Sequence, residues 1–337
     1  MSNDQSNKLA IQRLTALWAL SESGLGGIMH AFNSSFSGLV LGSIAVILIS
    51  LIWDLSEHKW KTLLSALTIV LVIKAAVSPH SNLTAYLAVS FQAIAGGAIY
   101  SIIRSIPLGA ILFGLIALLE SAVQKLLVLY VLYGNTLVEA INEFGAWVSE
   151  RTGYMLPLTT SKTLVIIYLL VFALGGLISG VFISFIIKSI RTNWTNPRYI
   201  IHLDSEYTDQ KTKKGNKRKS LWIVMMTIAI MMIALMIYGY YSECINKVIF
   251  VFARTVLILL TWYLFIAPYA KRYLFRLLNK RKAELSSEIN HVFDMIPYLK
   301  IIVLKAWRES SGINIFHKLY HFILTTILYT LHFKIDE

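Results

Sequence analysis

Apolar residues in this 337-residue chain gather into eight runs, at 9–22, 36–53, 61–77, 84–103, 106–132, 160–187, 220–241 and 248–269. Each run is bounded by polar residues, Gly or Pro. An α-helix rises 1.5 Å per residue, so about 20 such residues cross a hydrocarbon core of about 30 Å. The runs therefore predict eight spanning helices. Those at 9–22 and 61–77 are short for a bilayer, and tilt or flanking residues have to complete them. Met1 to Lys8 is polar and leads straight into Leu9–Leu20 without a small-residue cleavage site, so the first run reads as a retained helix.

Charge in the connections orients the runs, because cytoplasmic loops carry the Lys and Arg excess. Lys188, Arg191, Arg198, Lys211, Lys213, Lys214, Lys217, Arg218 and Lys219 follow the sixth run. Lys271, Arg272, Arg276, Lys280, Arg281 and Lys282 follow the eighth. Both stretches belong inside. Counting back puts the 134–159 loop outside, with Glu139, Glu143 and Glu150 against Arg151, and the Arg104 turn inside. Lys59, Lys61, Lys8 and Arg13 then also fall inside, and eight spans with both termini cytoplasmic satisfy every loop.

Four parts follow: a six-helix membrane domain at 1–190, a basic cytoplasmic linker at 191–219, a two-helix membrane segment at 220–270 and a cytoplasmic helical tail at 271–337. Like charges repel along Lys211–Lys219, which reads as a largely disordered part of the linker that either stops translocation or contacts lipid headgroups or a partner. The tail predicts a helical segment Ala283–Met295, a break at Pro297, a second segment Tyr298–Ser310, and an amphipathic helix over 316–333 containing Lys318, His317, His321 and His332. This last helix reads as interfacial or packed in the cytoplasm rather than as a ninth span.

Composition agrees with the pattern: 56% of residues are hydrophobic and only 15% charged, far from the roughly 25% charged norm of soluble domains. In that setting the net charge of +13 reads as topological anchoring and headgroup attraction, not as nucleic-acid binding. A single cysteine, Cys244, excludes an intrachain disulfide and a Cys-rich metal site. GxxxxGK[ST], HExxH, GxSxG and paired Asp-rich motifs are all absent. The chain is accordingly read as a non-enzyme with no cofactor and no metal centre, taking any energy from a partner or an ion gradient.

Ionisable groups inside spanning helices are costly, so each is a site hypothesis. Glu120, Gln124 and Lys125 lie in the middle of the fifth run, and Glu120 and Gln124, four apart, share a helix face. Glu22, His30, Lys74 and His80 all fall toward the external side on this topology, with Gln92 in the fourth run. Glu22, His30, Lys74, Gln92, Glu120 and Gln124 are the candidate substrate-binding residues, a few polar groups among apolar walls. A structural ion pair, snorkelling of Lys74 and uninvolved loop histidines are the competing readings. Gly38 and Gly42, Gly96-Gly97, Gly109 and Gly114, and Gly175-Gly176 with Gly180 allow close helix approach.

The first 190 residues resemble the substrate-binding S component of energy-coupling factor transporters. The likeness rests on Leu14–Gly27 with its glycine-rich outer loop, Phe36-Ser-Gly-Leu-Val-Leu-Gly42, Ala85-Tyr-Leu-Ala-Val-Ser-Phe-Gln-Ala-Ile-Ala-Gly-Gly97 and the polar-centred fifth helix. The resemblance implies a six-helix protein that captures a vitamin-like molecule or metal ion from outside. It also implies a membrane partner contacted through small residues spaced by four on the first helix. Here Ala10, Ala16 and Ala19 are present, but Leu14 and Leu20 stand four after the first two. The two later spans and the tail, with Pro297 and Trp307-Arg308-Glu309-Ser310, loosely resemble the coupling T component, without the Ala-Arg-Gly type motifs that engage ATPases. The expected protein is thus an inner-membrane transport subunit binding a small polar solute. The alternative is a structural or assembly subunit of a membrane complex, docking a partner through its basic segments.

Overall fold

The computed structural model describes residues 3–26, 37–78, 83–152, 160–194, 196–204, 285–310 and 315–336, with a few single positions between 257 and 276. Nine α-helices are delimited among them. These are α1 (Asn3–Leu20), α2 (Ser37–Leu55), α3 (Lys59–Val77), α4 (Leu83–Ile102), α5 (Ile106–Tyr133), α6 (Asn135–Thr152), α7 (Thr160–Asn193), α8 (Ser286–Glu309) and α9 (Ile315–His332). A π-helical turn, Ser21–Leu25, extends α1. Short strands β1 (His202–Asp204) and β2 (Lys334–Asp336) pair in parallel, His202 opposite Lys334.

Five of these helices, α2, α3, α4, α5 and α7, are long and apolar enough to cross a membrane. They coincide with the predicted runs at 36–53, 61–77, 84–103, 106–132 and 160–187. α1 covers the 9–22 run and is not among the five, because its first half is polar. The predicted spans at 220–241 and 248–269 lie outside the described residues. The chain divides into two compact units: Met1–Lys125, Leu164–Thr208 and Lys271–Glu337 form one, and Leu126–Thr163 with Asp209–Ala270 the other.

In the first unit, contacts at the ends of the helices define their directions. The Arg191 Nη2 of α7 donates to both carboxylate oxygens of Asp54 at the end of α2, 2.9 Å each. The Trp60 indole at the start of α3 donates to Ser101 near the end of α4. Lys59 Nζ donates to the carbonyls of Trp53 (2.7 Å) and Asp54 (3.3 Å), satisfying acceptors that the end of α2 leaves open. One end of the bundle therefore holds the α2–α3 connection, the end of α4 and the end of α7, as alternating spans require.

α1 runs parallel to α3. Lys8 and Lys61 line one cavity at the first end, and Glu22 meets Lys74 at the other. The buried face of α1 (Leu14, Ala16, Leu17, Trp18, Ala19) packs on α2, α3, α8 and α9, so the described tail helices share one hydrophobic core with the first helices.

Two local expectations change. The break expected at Pro297 is absent, and α8 runs through it as one helix. An interior proline costs about 3 kcal/mol. Ile289, Val292, Met295, Ile296, Leu299 and Ile302 bury a continuous stripe on both sides of it, and at about 1.5–3 kcal/mol per buried side chain the stripe outweighs that cost. The 134–159 loop is helical over α6, in the second unit. Gly134, at φ 61°, ends α5 in the left-handed conformation open to glycine, its N–H bonded to Tyr130 O. Asn142 Oδ1 on α6 then accepts from the Ser161 N–H in the first turn of α7.

The C-terminal end of α9 is tied to α1. Both terminal nitrogens of Arg13 donate to its last carbonyls, to Leu331 O and to Phe333 O (2.6 Å), and the guanidinium lies 4.2 Å from the centroid of the Phe333 ring. His332 packs edge-on against Trp194. Burial, then the charge of Arg13, holds its imidazole below the usual histidine pKa.

The glycines give one prediction. A Cβ at Gly114 would stand 2.3 Å from Gly176 O on α7, whereas one at Gly26 meets only ordinary contacts at 3.7 and 3.8 Å. Gly114→Val is expected to destabilise by about 1–3 kcal/mol and lower the melting temperature in detergent, while Gly26→Ala leaves it unchanged. His332 gives another. Its depressed folded pKa means that the unfolded chain takes up the proton first, near pH 6.5. Thermal stability should be level above that pH and fall toward pH 5, and His332→Gln should flatten the acid limb.

Candidate functional site

Five of the six residues singled out from sequence fall into two sets. The first is Glu22 with Lys74. The π-turn widens the helix after Leu20 and carries Glu22 toward the last turn of α3. Lys74 Nζ donates to Glu22 Oε2 at 2.6 Å, with the side chains 3% and 4% exposed. Around them Ser23 donates to Ala19 O, and Ser78 at the end of α3 donates to Ser23 O, closing the turn onto the helix. The pair is buried and mutually bonded, a contact between two helices. His30, His80 and Lys211, Lys213, Lys214, Lys217, Arg218 and Lys219 lie outside the described residues.

The second set lines a seam between α4 and α5. Gln124 Nε2 donates to Thr84 O at 3.1 Å. Further along, the Phe113 ring occupies the space over Gly96, where a Cβ would stand 2.8 Å from it. These two contacts define an antiparallel register that puts Ala117 opposite Gln92 and Glu120 one turn farther, about 5 Å along the axis. Gln92 also faces α2: the Cβ position of Gly42 lies 3.6 Å from Gln92 Nε2 and 3.8 Å from Ser121 Oγ. Small residues at Gly38 and Gly42 thus let α2 approach the polar side of α5.

Gln92 is 4% exposed. Its Oε1 and the Oε2 of Glu120 are both buried without a hydrogen-bond partner among the described residues. Buried polar atoms are nearly always paired, so two orphaned acceptors on one seam need an explanation. A ligand that donates hydrogen bonds would supply it. Among the described residues no group of three or more His, Cys, Asp or Glu is placed to hold a metal ion.

The structure therefore joins Glu22 to Lys74, sets Gln92, Glu120 and Gln124 along one seam, and shows no hydrogen bond between the two sets among the described residues. Sequence reasoning missed Arg13 as a half-buried structural cation, having read it as a topological anchor. The signal was an arginine inside an apolar run.

Comparison with protein-family models, with curated proteins and with solved structures yields no match.

The Glu22–Lys74 geometry sets an expectation for mutants. Removing one member of a buried pair leaves an uncompensated charge and costs about 3–5 kcal/mol, whereas replacing both by apolar or neutral groups is often near neutral. Lys74→Met alone should lower the unfolding temperature sharply, and Glu22→Gln with Lys74→Met should recover most of the loss. Equal loss in the single and double variants would show that the pair does more than join α1 to α3.

Proposed function

We propose that this multi-pass membrane protein is a transport subunit that binds a small polar solute in the seam between α4 and α5. The observation that carries the reading is the pair of orphaned acceptors, Gln92 Oε1 and Glu120 Oε2, in a wall of apolar side chains. Such a wall with a few polar groups is the usual make-up of a ligand site. Amides, a serine hydroxyl and one carboxylate suit an organic, vitamin-like molecule presenting N–H or O–H groups better than a bare cation. Gln124, bonded to Thr84 O, holds the two helices in register for it.

On this reading the protein sits in the inner membrane with both termini cytoplasmic. α1 crosses as an inner strut, the two later apolar runs cross as well, and the solute arrives from the external side. A partner subunit supplies the coupling. The closed Glu22–Lys74 pair favours a second reading, a structural or assembly subunit, since it assigns two of the most buried charges to helix joining.

Small-molecule mass spectrometry of the purified protein separates the two. A transport subunit retains a stoichiometric organic solute. Glu120→Gln and Gln92→Leu should each weaken its retention at least about tenfold, the loss of one good hydrogen bond to a charged or buried partner, with the melting temperature kept. An assembly subunit retains no solute, tolerates both substitutions and brings down a stoichiometric protein partner instead.

A further inference from the structure

We infer that α8, with the first turns of α9, forms a binding face for anionic phospholipid headgroups at the end of the bundle where α7 terminates. The outward side of α8 carries Phe293, Lys300, Leu304 and Trp307 at helical spacing, all exposed, with exposed Lys305 on its flank. Apolar anchors alternating with cations on one stripe are the composition of a helix lying in a membrane interface. α9 extends the face: Lys318 Nζ lies 4.4 Å from the centroid of the Trp307 ring, and neighbouring Leu319 is exposed.

Contacts with α7 place this face at headgroup depth. The long apolar run of α7 ends at Ile187, immediately before Lys188. On either side of that boundary, Phe182 packs edge-on against Tyr320 of α9 and Ser189 shares a hydrogen bond with the Tyr320 hydroxyl. Tyr320 is two residues from Lys318 and from Phe322, and the Phe322 ring meets Trp307 at 5.3 Å. A short chain of packed side chains thus leads from the hydrocarbon edge to the stripe.

The charge argues for lipid over a neutral protein groove. The stripe and its rim present Lys300, Lys305, Arg308 and Lys318 against the exposed carboxylate of Asp294 in the first half of α8, while the nearby Glu309 carboxylate accepts from the Tyr329 hydroxyl. Basic residues beside an anionic leaflet each add affinity. This inference rests on the membrane location of α7 and is independent of the solute proposed above.

The test uses the full chain in nanodiscs, with Cys244→Ser and a spin label on Leu304→Cys or, separately, Leu319→Cys. In discs containing phosphatidylglycerol both labels should collide with oxygen and be shielded from a water-soluble nickel chelate. Lys300→Glu with Lys305→Glu should move the midpoint of the phosphatidylglycerol titration upward by roughly an order of magnitude or more, about fivefold per cation lost, at an unchanged melting temperature. Labels open to nickel at every lipid composition overturn the proposal. So does shielding that ignores lipid charge, or shielding that arises only when a soluble protein is added.

Discussion

The contact between Glu22 and Lys74 is the constraint on which much of the helical arrangement turns. Two charges removed from water are tolerable only when each closes the other, and at 2.6 Å they leave little room for adjustment. The pair fixes where α1 stops along α3. Arg13, nine residues earlier, caps the carbonyls at the end of α9 and so fixes where the last tail helix ends against α1. Between those two points α1 buries Leu14, Leu17 and Trp18 against four other helices. A helix too polar at its start to stand alone in lipid is held by its neighbours, and it gives those neighbours a common surface.

Several polar groups that join helices are satisfied: Lys74 by Glu22, Ser50 by Tyr100 and Val46 O, Ser179 by Ser43 and Gly175 O. Those on the α4–α5 seam are not. The amide oxygen of Gln92 and one carboxylate oxygen of Glu120 stay unpaired while a hydroxyl, Ser121, stands near the same glycine of α2. Trp18 Nε1, Ser184 Oγ, Thr326 Oγ1 and Thr330 Oγ1 are also without a partner among the described residues. What sets the seam apart is that a buried amide oxygen and a carboxylate oxygen stand about one helical turn from each other.

How far the sequence revealed this depends on the kind of signal. Of the eight spans expected from the apolar runs, five coincide with membrane-competent helices among the described residues, because length against bilayer thickness requires no tertiary knowledge. α6 was hidden because its glutamates were weighed as loop charge. As a helix it turns Glu139, Glu143 and Glu150 outward and Gly145 inward, against Thr160. Pro297 misled for a similar reason, since a local rule was outweighed by burial on both sides. In the site, charge alternation put Glu22 and Lys74 toward the same end, and the parallel course of α1 and α3 then made them partners. Gln92 was listed beside them as a polar group of the fourth run, and only helix register sets it within a turn of Glu120.

The chain's excess of positive charge is best understood by where each cation ends. Lys59 closes the carbonyls of α2, Arg13 those of α9, Lys74 a carboxylate and Arg191 another. Each of these sits at a helix end or between helices, where unsatisfied acceptors or a negative dipole need a donor. They are parts of the fold and unable to recruit a polyanion. Lys300 and Lys305 differ, because they stand exposed on a helix whose opposite side is committed to the core. The described cations therefore divide into those bonded at helix ends or between helices, from buried Lys74 to largely exposed Arg191, and those such as Lys300 on an outward helix face. For a protein with five bilayer-length helices, that second group is the one we propose meets anionic lipid.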